Sequence, residues 1–257
     1  MKIITMNLNG IRSATEKGFL EWMTSQQADV VCLQEIRVQP EQLTPAMRNP
    51  KGYESFFLSA RKKGYAGVGV YFKKMPDRFH TRFGWAEMDD DGRYLQIDYG
   101  NLSIISLYLH SGSSGEIRQS LKFQAMDQLT NWLKEKRQDG REYIVCGDWN
   151  IAHQPIDLKN WKANQNYSGF LPEERQWLTM LFEELGFVDI FRKLNPHPDQ
   201  YTWWSNRGQA WSKNVGWRID YQIGTPGIAG KANHETIFRE QKFSDHAPLI
   251  IGYDFEI

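Results

Sequence analysis

What the chain has little of narrows its chemistry. Its 257 residues include only two cysteines, Cys32 and Cys146, and both lie inside apolar runs. Such usage fits buried free thiols in a reducing compartment, and apolar surroundings disfavour a thiolate nucleophile. There is no CxxC pair and no HExxH, so a tetrahedral zinc site lacks its ligands. Neither GxGxxG nor GxxxxGK[ST] occurs, so dinucleotide and P-loop chemistry are not indicated. No apolar run approaches ~20 residues, so none is read as a membrane-spanning helix. The first residues form a strand-like run rather than a basic segment followed by an apolar one. A cytoplasmic protein is expected, nucleoid-associated if bacterial. An excess of charge is missing too, because 31 Lys+Arg balance 31 Asp+Glu. Any footprint for nucleic acid must therefore be local. No Pro/Ser/Gly-rich linker or low-complexity run divides the chain, so residues 1–257 are read as one domain with a sizeable core.

Aromatic residues, by contrast, are abundant at 14%, ten of them Trp. Most are expected in the core, and some as stacking surfaces. The stretch that organises the rest is CGDWNIAH, Cys146 to His153. Tyr143 to Cys146 reads as a short buried strand, which Gly147 breaks and polar side chains follow. Side chains alternate along extended chain, so Asp148 and Asn150 point the same way. An Asx turn at a strand end would explain them equally well. The first strand, Lys2 to Met6, ends in the same manner with Asn7-x-Asn9. Asp29 to Glu35 is an apolar strand that stops on a carboxylate, and Leu102 to Leu109 runs into Tyr108, His110 and Ser111.

The remaining elements follow from periodicity and punctuation. Ser13-x-x-Glu16 and Ser113-x-x-Glu116 are capping-box signatures. The first predicts a helix to about Ser25. The second predicts the longest helix, with a stripe of Ile117, Leu121, Ala125, Leu129, Trp132 and Leu133, and Gly140 after its end. Tyr53–Leu58 and Ala66–Phe72 look paired, as do Phe79–Trp85 and Tyr94–Tyr99. Asp89-Asp90-Asp91-Gly92 between the latter two is read as a hairpin turn rather than a metal site. Gln154–Leu171 is a long irregular stretch suited to binding. Pro172 opens a helix that Gly186 stops. Strands at Tyr201–Asn206, Arg218–Ile223 and Pro248–Tyr253 complete the count of about ten, against three or four helices. The mixture of tight turns and helical crossovers predicts two packed mixed β-sheets with helices outside.

Polar groups at apolar strand ends thus accumulate: Asn7, Glu35, Tyr108, Asp148, Asn150, Asp220 and Asp245-His246. Carboxylates without a Cys/His cluster prefer a hard cation, Mg²⁺ or Mn²⁺. Such an ion beside a carboxylate, a histidine and amide donors suits hydrolysis of a phosphodiester.

Five strings then occur in order: LQEIR (Leu33–Arg37), CGDWNIAH, GFLPEER (Gly169–Arg175), NVGWRIDY (Asn214–Tyr221) and SDHAPL (Ser244–Leu249). Together they resemble the exonuclease III family of apurinic/apyrimidinic (AP) endonucleases, over nearly the whole chain. The NVGWRIDY block with SDHAPL separates that family from the sphingomyelinases, inositol-polyphosphate phosphatases and deoxyribonuclease I-like enzymes. The resemblance implies a four-layer α/β sandwich of the deoxyribonuclease I-like type. It also implies a monomeric, Mg²⁺-dependent enzyme that cuts duplex DNA 5′ to abasic sites and can act on damaged 3′ ends. By position, Glu35 would be the main metal ligand, with Asn7 and Asp245 nearby. Asp148 would activate or orient water, and His246 would hold the phosphate with Asp220 behind it. Asn150, Tyr108 and Asn164 would be phosphate donors. Trp203 and Trp217 would line the pocket for a base-free sugar, and Arg207 would probe the duplex. Arg12, Lys62, Lys63, Lys162 and Lys213 are candidates for the local positive footprint. The chain departs from the family pattern at His110, where many members have Pro, at Ser111, and at Tyr167, where an Asn is common. Those changes are expected to touch phosphate and DNA contacts. The alternatives are a same-fold phosphoesterase with another substrate and a non-catalytic nucleic-acid-binding module.

Overall fold

Period-two alternation in the apolar runs decides where two sheets meet. In the computed structural model, which describes residues 1–257, fourteen strands and nine α-helices follow one another. The first half runs β1 (Lys2–Asn7), α1 (Ile11–Glu16), α2 (Phe19–Gln26), β2 (Val30–Gln34), α3 (Pro45–Arg48), β3 (Glu54–Leu58), β4 (Val68–Phe72), β5 (Arg78–His80), α4 (Ala86–Asp89), β6 (Tyr94–Tyr99), β7 (Leu102–Tyr108) and α5 (Glu116–Lys136). The second runs β8 (Glu142–Asp148), α6 (Trp161–Asn164), α7 (Pro172–Glu183), β9 (Val188–Asp189), α8 (Ile190–Leu194), β10 (Trp203–Trp204), β11 (Gly216–Trp217), β12 (Asp220–Gly224), α9 (Pro226–Ala229), β13 (Ala232–Ile237) and β14 (Leu249–Tyr253).

One six-stranded sheet has the order β13-β14-β1-β2-β4-β3 and the other β5-β6-β7-β8-β12-β9. Each is antiparallel except for one central parallel pair, β1 with β2 and β7 with β8. A parallel pair needs a long crossover, supplied by α1 and α2 in the first case and by α5 in the second. Alternate residues then sort into layers. Ile3, Val30, Cys32 and Val70 face Ile97, Ile104, Ile144 and Cys146 across the sheets. Ile4, Met6, Val31 and Leu33 turn the other way, onto Phe19, Leu20 and Met23 of α2. Ile105, Leu107, Val145 and Tyr221 turn onto Leu129 and Leu133 of α5 and Leu178 and Leu181 of α7. This is the expected four-layer α/β sandwich. Polar groups within it are paired across the layers: Gln34 Nε2 donates to Ser106 Oγ at 2.9 Å, and Gln222 Nε2 to the Ile3 carbonyl at 3.1 Å. No helix is long and apolar enough to cross a membrane.

Several expected elements are redrawn. The predicted first helix is two, because Gly18 adopts φ +85 between them, and Gly10 rather than Ser13 stands at the N-cap. Gly115 likewise takes the N-cap of α5 in place of Ser113. The packed face of α5 starts one turn late, with Lys122, Ala125, Met126, Leu129 and Leu133, leaving Ile117 87% exposed. Asp89–Gly92 is not a two-residue hairpin, since β5 stops at His80 and α4 occupies the connection. There Asp90 meets Arg61 and Asp91 meets Arg93, each at 2.9 Å. The long stretch after β8 contains a 3₁₀ turn at Pro155–Asp157 and the short α6. β13, an edge strand with two exposed polar residues, carries too little alternation to be read in advance.

Gly147 is the tightest point of the central pairing. Its φ is +152, and a Cβ there would lie 1.8 Å from the Leu107 carbonyl oxygen. Gly147→Ala is expected to cost about 3 kcal/mol, the upper range for overpacking, read as a fall in the urea midpoint at unchanged m-value.

Candidate active site

The two sheets bring their polar strand ends to one edge. β1 stops at Asn7, β7 at Tyr108 and β8 at Asp148, and β12 begins at Asp220, which pairs directly with Asp148. Glu35 follows β2 with φ +54 and Asn150 follows β8 with φ +53. Left-handed backbone is uncommon outside glycine, and at both positions it turns the chain sharply as the strand ends. Asp245 and His246 stand just ahead of the last strand, separated from it by Ala247 and Pro248.

Asn7 ties the ends together. Its amide nitrogen donates to Glu35 Oε2 and to Asp148 Oδ2, each at 2.9 Å, so one side chain bridges carboxylates from opposite sheets. Its oxygen accepts from the Asn9 N–H at 2.9 Å. The other oxygen of Glu35 meets the Arg37 guanidinium. On the far side of Asp148, its Oδ2 stands 3.9 Å from His246 Nε2, and His246 Nδ1 bonds Asp220 Oδ2 at 2.8 Å. Asp148 Oδ1 accepts from the Asn150 N–H at 2.8 Å. Asp245 is held by Asn9 Nδ2 at 2.8 Å and by the Trp203 indole N–H at 3.1 Å.

Burial sets the electrostatics. It pushes the Asp148 carboxyl up to about 7, and the neighbouring Asp220 carboxylate adds to the push. Burial alone would lower His246, but the carboxylates of Asp220, Asp148 and Asp245 outweigh it and hold its pKa up at about 10. For Asp245 burial is likewise outweighed, by His246, Asn9 and Trp203, and its pKa falls below the usual carboxylate range. Burial, then Glu35 and Asp148, lifts Tyr108 far above its ordinary value, so the phenol remains a proton donor. At neutral pH the site thus presents an imidazolium beside a carboxyl group poised to exchange a proton.

These groups open onto a cleft of about 400 Å³. Trp203 and Trp217 are register partners of the small β10–β11 ladder, and their rings meet edge-on at 6.3 Å. Phe170 packs against Trp217 from behind, and Ile219 adds to the apolar wall. Of the candidates read from the sequence, Glu35, Tyr108, Asp148, Asn150, Asn164, Trp203, Trp217, Asp245 and His246 line this cleft. Asn7 and Asp220 lie just behind it, almost wholly buried. Arg207 is not brought there; it is exposed on the loop after β10. Arg12, Lys62, Lys63, Lys162 and Lys213 are exposed as well.

The departures fall into two kinds. Ser111 and Tyr167 line the cleft, Tyr167 with 63% of its surface exposed. His110, expected near phosphate, instead turns inward: it is 1% exposed, packs edge-on to Trp85 at 5.8 Å, and burial lowers its pKa to about 3. It is a neutral packing residue.

The donors suit a hard cation. Glu35, Asn7, Asn9 and Asp245 offer oxygen only, with no thiolate among them. Asp148, Asp220 and His246 also lie close enough to share an ion, their ligand atoms within 4.8 Å of one another. There, however, Nδ1 of His246 is already bonded to Asp220, which leaves only Nε2 facing Asp148, 3.9 Å away.

Residues 4–246 match the endonuclease/exonuclease/phosphatase family. The chain belongs to that family. Among its members, a Bacillus subtilis exodeoxyribonuclease is 36% identical over 97% of this chain and 98% of its own length. A Dictyostelium discoideum DNA-(apurinic or apyrimidinic site) endonuclease is 36% identical over 99% of this chain and 71% of its own length. The structure of an AP endonuclease from Archaeoglobus fulgidus superposes with a TM-score of 0.90 at 27% identity, covering 99% of this chain and all of that one.

Some contributors escaped the sequence reading. Arg37 lies within LQEIR and Asn9 was read as part of the Asn7-x-Asn9 strand end, but neither gave a sign of its partner, and Asn9 reaches Asp245 across 236 positions. Arg218, fully buried, grips Asp157 and Asp189 at 2.8 and 2.6 Å and so fixes the start of β12. A pH dependence follows from the His246–Asp220 pair. A pKa raised from 6.5 to about 10 at His246 gives stability that is complete below 6.5 and lost as pH climbs through 10. The raised Asp148 acts in the same sense on a lower window, between 3.8 and about 7. The melting temperature should therefore fall from pH 6.5 to 10, and Asp220→Asn should flatten that fall in thermal scans across the range.

Proposed function

We propose that this chain is a divalent-metal-dependent DNA-repair phosphodiesterase, cleaving duplex DNA 5′ to abasic sites and trimming damaged 3′ ends. The observation that carries the reading is the bridge from Asn7 to Glu35 and Asp148, set opposite the His246–Asp220 relay in a cleft walled by two tryptophans. Every one of these groups comes from one chain, so the site is complete without a second copy. The lining contains a single guanidinium, that of Arg37, and it is paired with Glu35. A polyphosphate substrate would call for a cluster of free Lys and Arg, so the same-fold alternative is disfavoured.

Glu35, with Asn7 and Asp245 nearby, would hold Mg²⁺ or Mn²⁺. When bound, such an ion neutralises phosphate charge and orients the scissile group. The remaining work falls to the chain itself. Asp148 takes a proton from water as the water oxygen attacks phosphorus; the bond to the leaving 3′ oxygen breaks, and that oxygen takes a proton from solvent to leave as the hydroxyl. Asn7 and the Asn150 N–H hold that carboxylate in place, and its raised pKa matches a base working near neutrality. His246, cationic and oriented by Asp220, stabilises the extra charge on the phosphate oxygens. Tyr108 offers its O–H to the same oxygens. The Asn150 amide gives one N–H to the Leu109 carbonyl at 2.9 Å, which leaves the second for phosphate. The apolar wall of Trp203, Trp217 and Ile219 offers a flipped, base-free sugar a surface to pack against.

The test is a labelled duplex carrying an abasic analogue, incubated with Mg²⁺ and with chelator. Cutting on the 5′ side that chelator abolishes is expected; cutting that survives chelation contradicts the metal's part. Asp148→Asn should lower turnover by roughly 10³-fold, the scale of general-base removal, while gel-shift affinity for the duplex is kept. Near-normal turnover in that variant would remove Asp148 from the role.

A further inference from the structure

Behind the cleft lies a charge pair that none of these roles uses. Lys122 of α5 and Glu174 of α7 meet at 2.5 Å with neither side chain exposed at all. Lys122 occupies a core-facing turn of α5 between the strands and α7, alongside Ala125 and Met126. Removing two charges from water costs several kcal/mol each, and a hydrophobic pair of equal volume is often as stable. A pair kept in such a place therefore calls for an account beyond stability.

Its hydrogen bonds supply one. Lys122 Nζ donates to the Asn150 carbonyl at 2.8 Å. Asn150 is the residue with left-handed backbone whose N–H holds Asp148, so the peptides on both sides of its Cα are gripped. Glu174 Oε2 accepts from the N–H groups of Gly169 and Leu171, at 2.6 and 3.1 Å. Those residues end the segment whose Tyr167, Ser168 and Gly169 form one side of the cleft. Glu174 Oε1 also takes a hydrogen bond from Gln119 at 3.0 Å. Gln119 in turn lies against Gly112, where a Cβ would come within 1.9 Å of its amide oxygen and 2.5 Å of Ser168 Oγ. One buried pair thus touches the residue beside Asp148 and the 169–171 wall, and through Gln119 it reaches the chain at Gly112.

We propose that Lys122 and Glu174 are positioning residues for DNA cleavage, fixing the Asn150 peptide and the 169–171 wall relative to Asp148. The proposal rests on the phosphodiesterase reading. A neutral pair separates positioning from folding. Lys122→Met keeps the stem, and Glu174→Gln keeps an oxygen for Gly169 and Leu171, so the double variant carries no unpaired buried charge. It should fold, with circular dichroism and cooperative melting like the parent. Its single-turnover rate constant on the abasic duplex at saturating enzyme should drop on the order of 10²-fold, the scale of an ångström-sized misplacement, with little change in KM. A merely structural pair would reduce the titrated fraction of active protein and leave that rate constant alone. The same double change placed on Asn150→Ala should cost less than it does on the parent. A folded double variant with the parental rate constant, or effects that multiply fully on Asn150→Ala, would overturn the positioning role. Parent protein that leaves the duplex intact would instead refute the phosphodiesterase reading itself.

Discussion

One amide holds the reactive end of the molecule together. Asn7 donates to Glu35 and to Asp148, which arrive on strands of different sheets. Two carboxylates that close repel each other unless a donor or a cation stands between them. The bridge is short only while the sheets keep their spacing and register. That spacing is set by the aliphatic layer of Ile3, Val30, Ile104 and Ile144 and, nearer the cleft, by Gln34 bonding to Ser106. The site is in this sense a readout of how the two sheets pack.

The relay of His246 and Asp220 depends on the same packing from the other direction. Asp220 pairs with Asp148 along the β8–β12 ladder, so a one-residue slip would send one carboxylate to the opposite face. Arg218 guards against such a slip. Buried and clamped by Asp157 and Asp189, it pins the chain two residues before the relay begins. The large charged side chains of the interior are thus gathered around the ends of the reactive strands.

Much of this was legible in the sequence because each reactive group stands where an apolar run stops. Glu35 ends VVCLQ, Asp148 ends YIVCG, and Asp220 interrupts a stretch that otherwise reads as strand. Local contrast of that kind survives any tertiary detail, and so did the pairing of sheets from mixed connections. What was not legible depends on distance. Nothing near Asn9 announces Asp245, and nothing near Arg37 announces that its partner is Glu35 rather than phosphate. His110 was expected near phosphate because it stands where relatives carry Pro, yet just past the end of β7 its ring is buried against Trp85. Lys122 did leave a trace: a lysine spaced three and four residues from Ala125 and Met126 falls on the packed stripe. Helix ends were misjudged where glycine took the cap, since Gly10 and Gly115 compete with nearby serines through backbone conformation rather than side-chain chemistry.

The division of labour between strands and loops has a consequence for how such a protein diverges. Tyr108, Asp148 and Asp220 are fixed by ladders, and at Gly147 even a methyl group has no room. The side of the cleft formed by Tyr167 and Ser111 is carried on exposed chain that no ladder constrains. Mutations can therefore accumulate on the rim and redirect which lesion is admitted, while the hydrolytic centre is inherited unchanged.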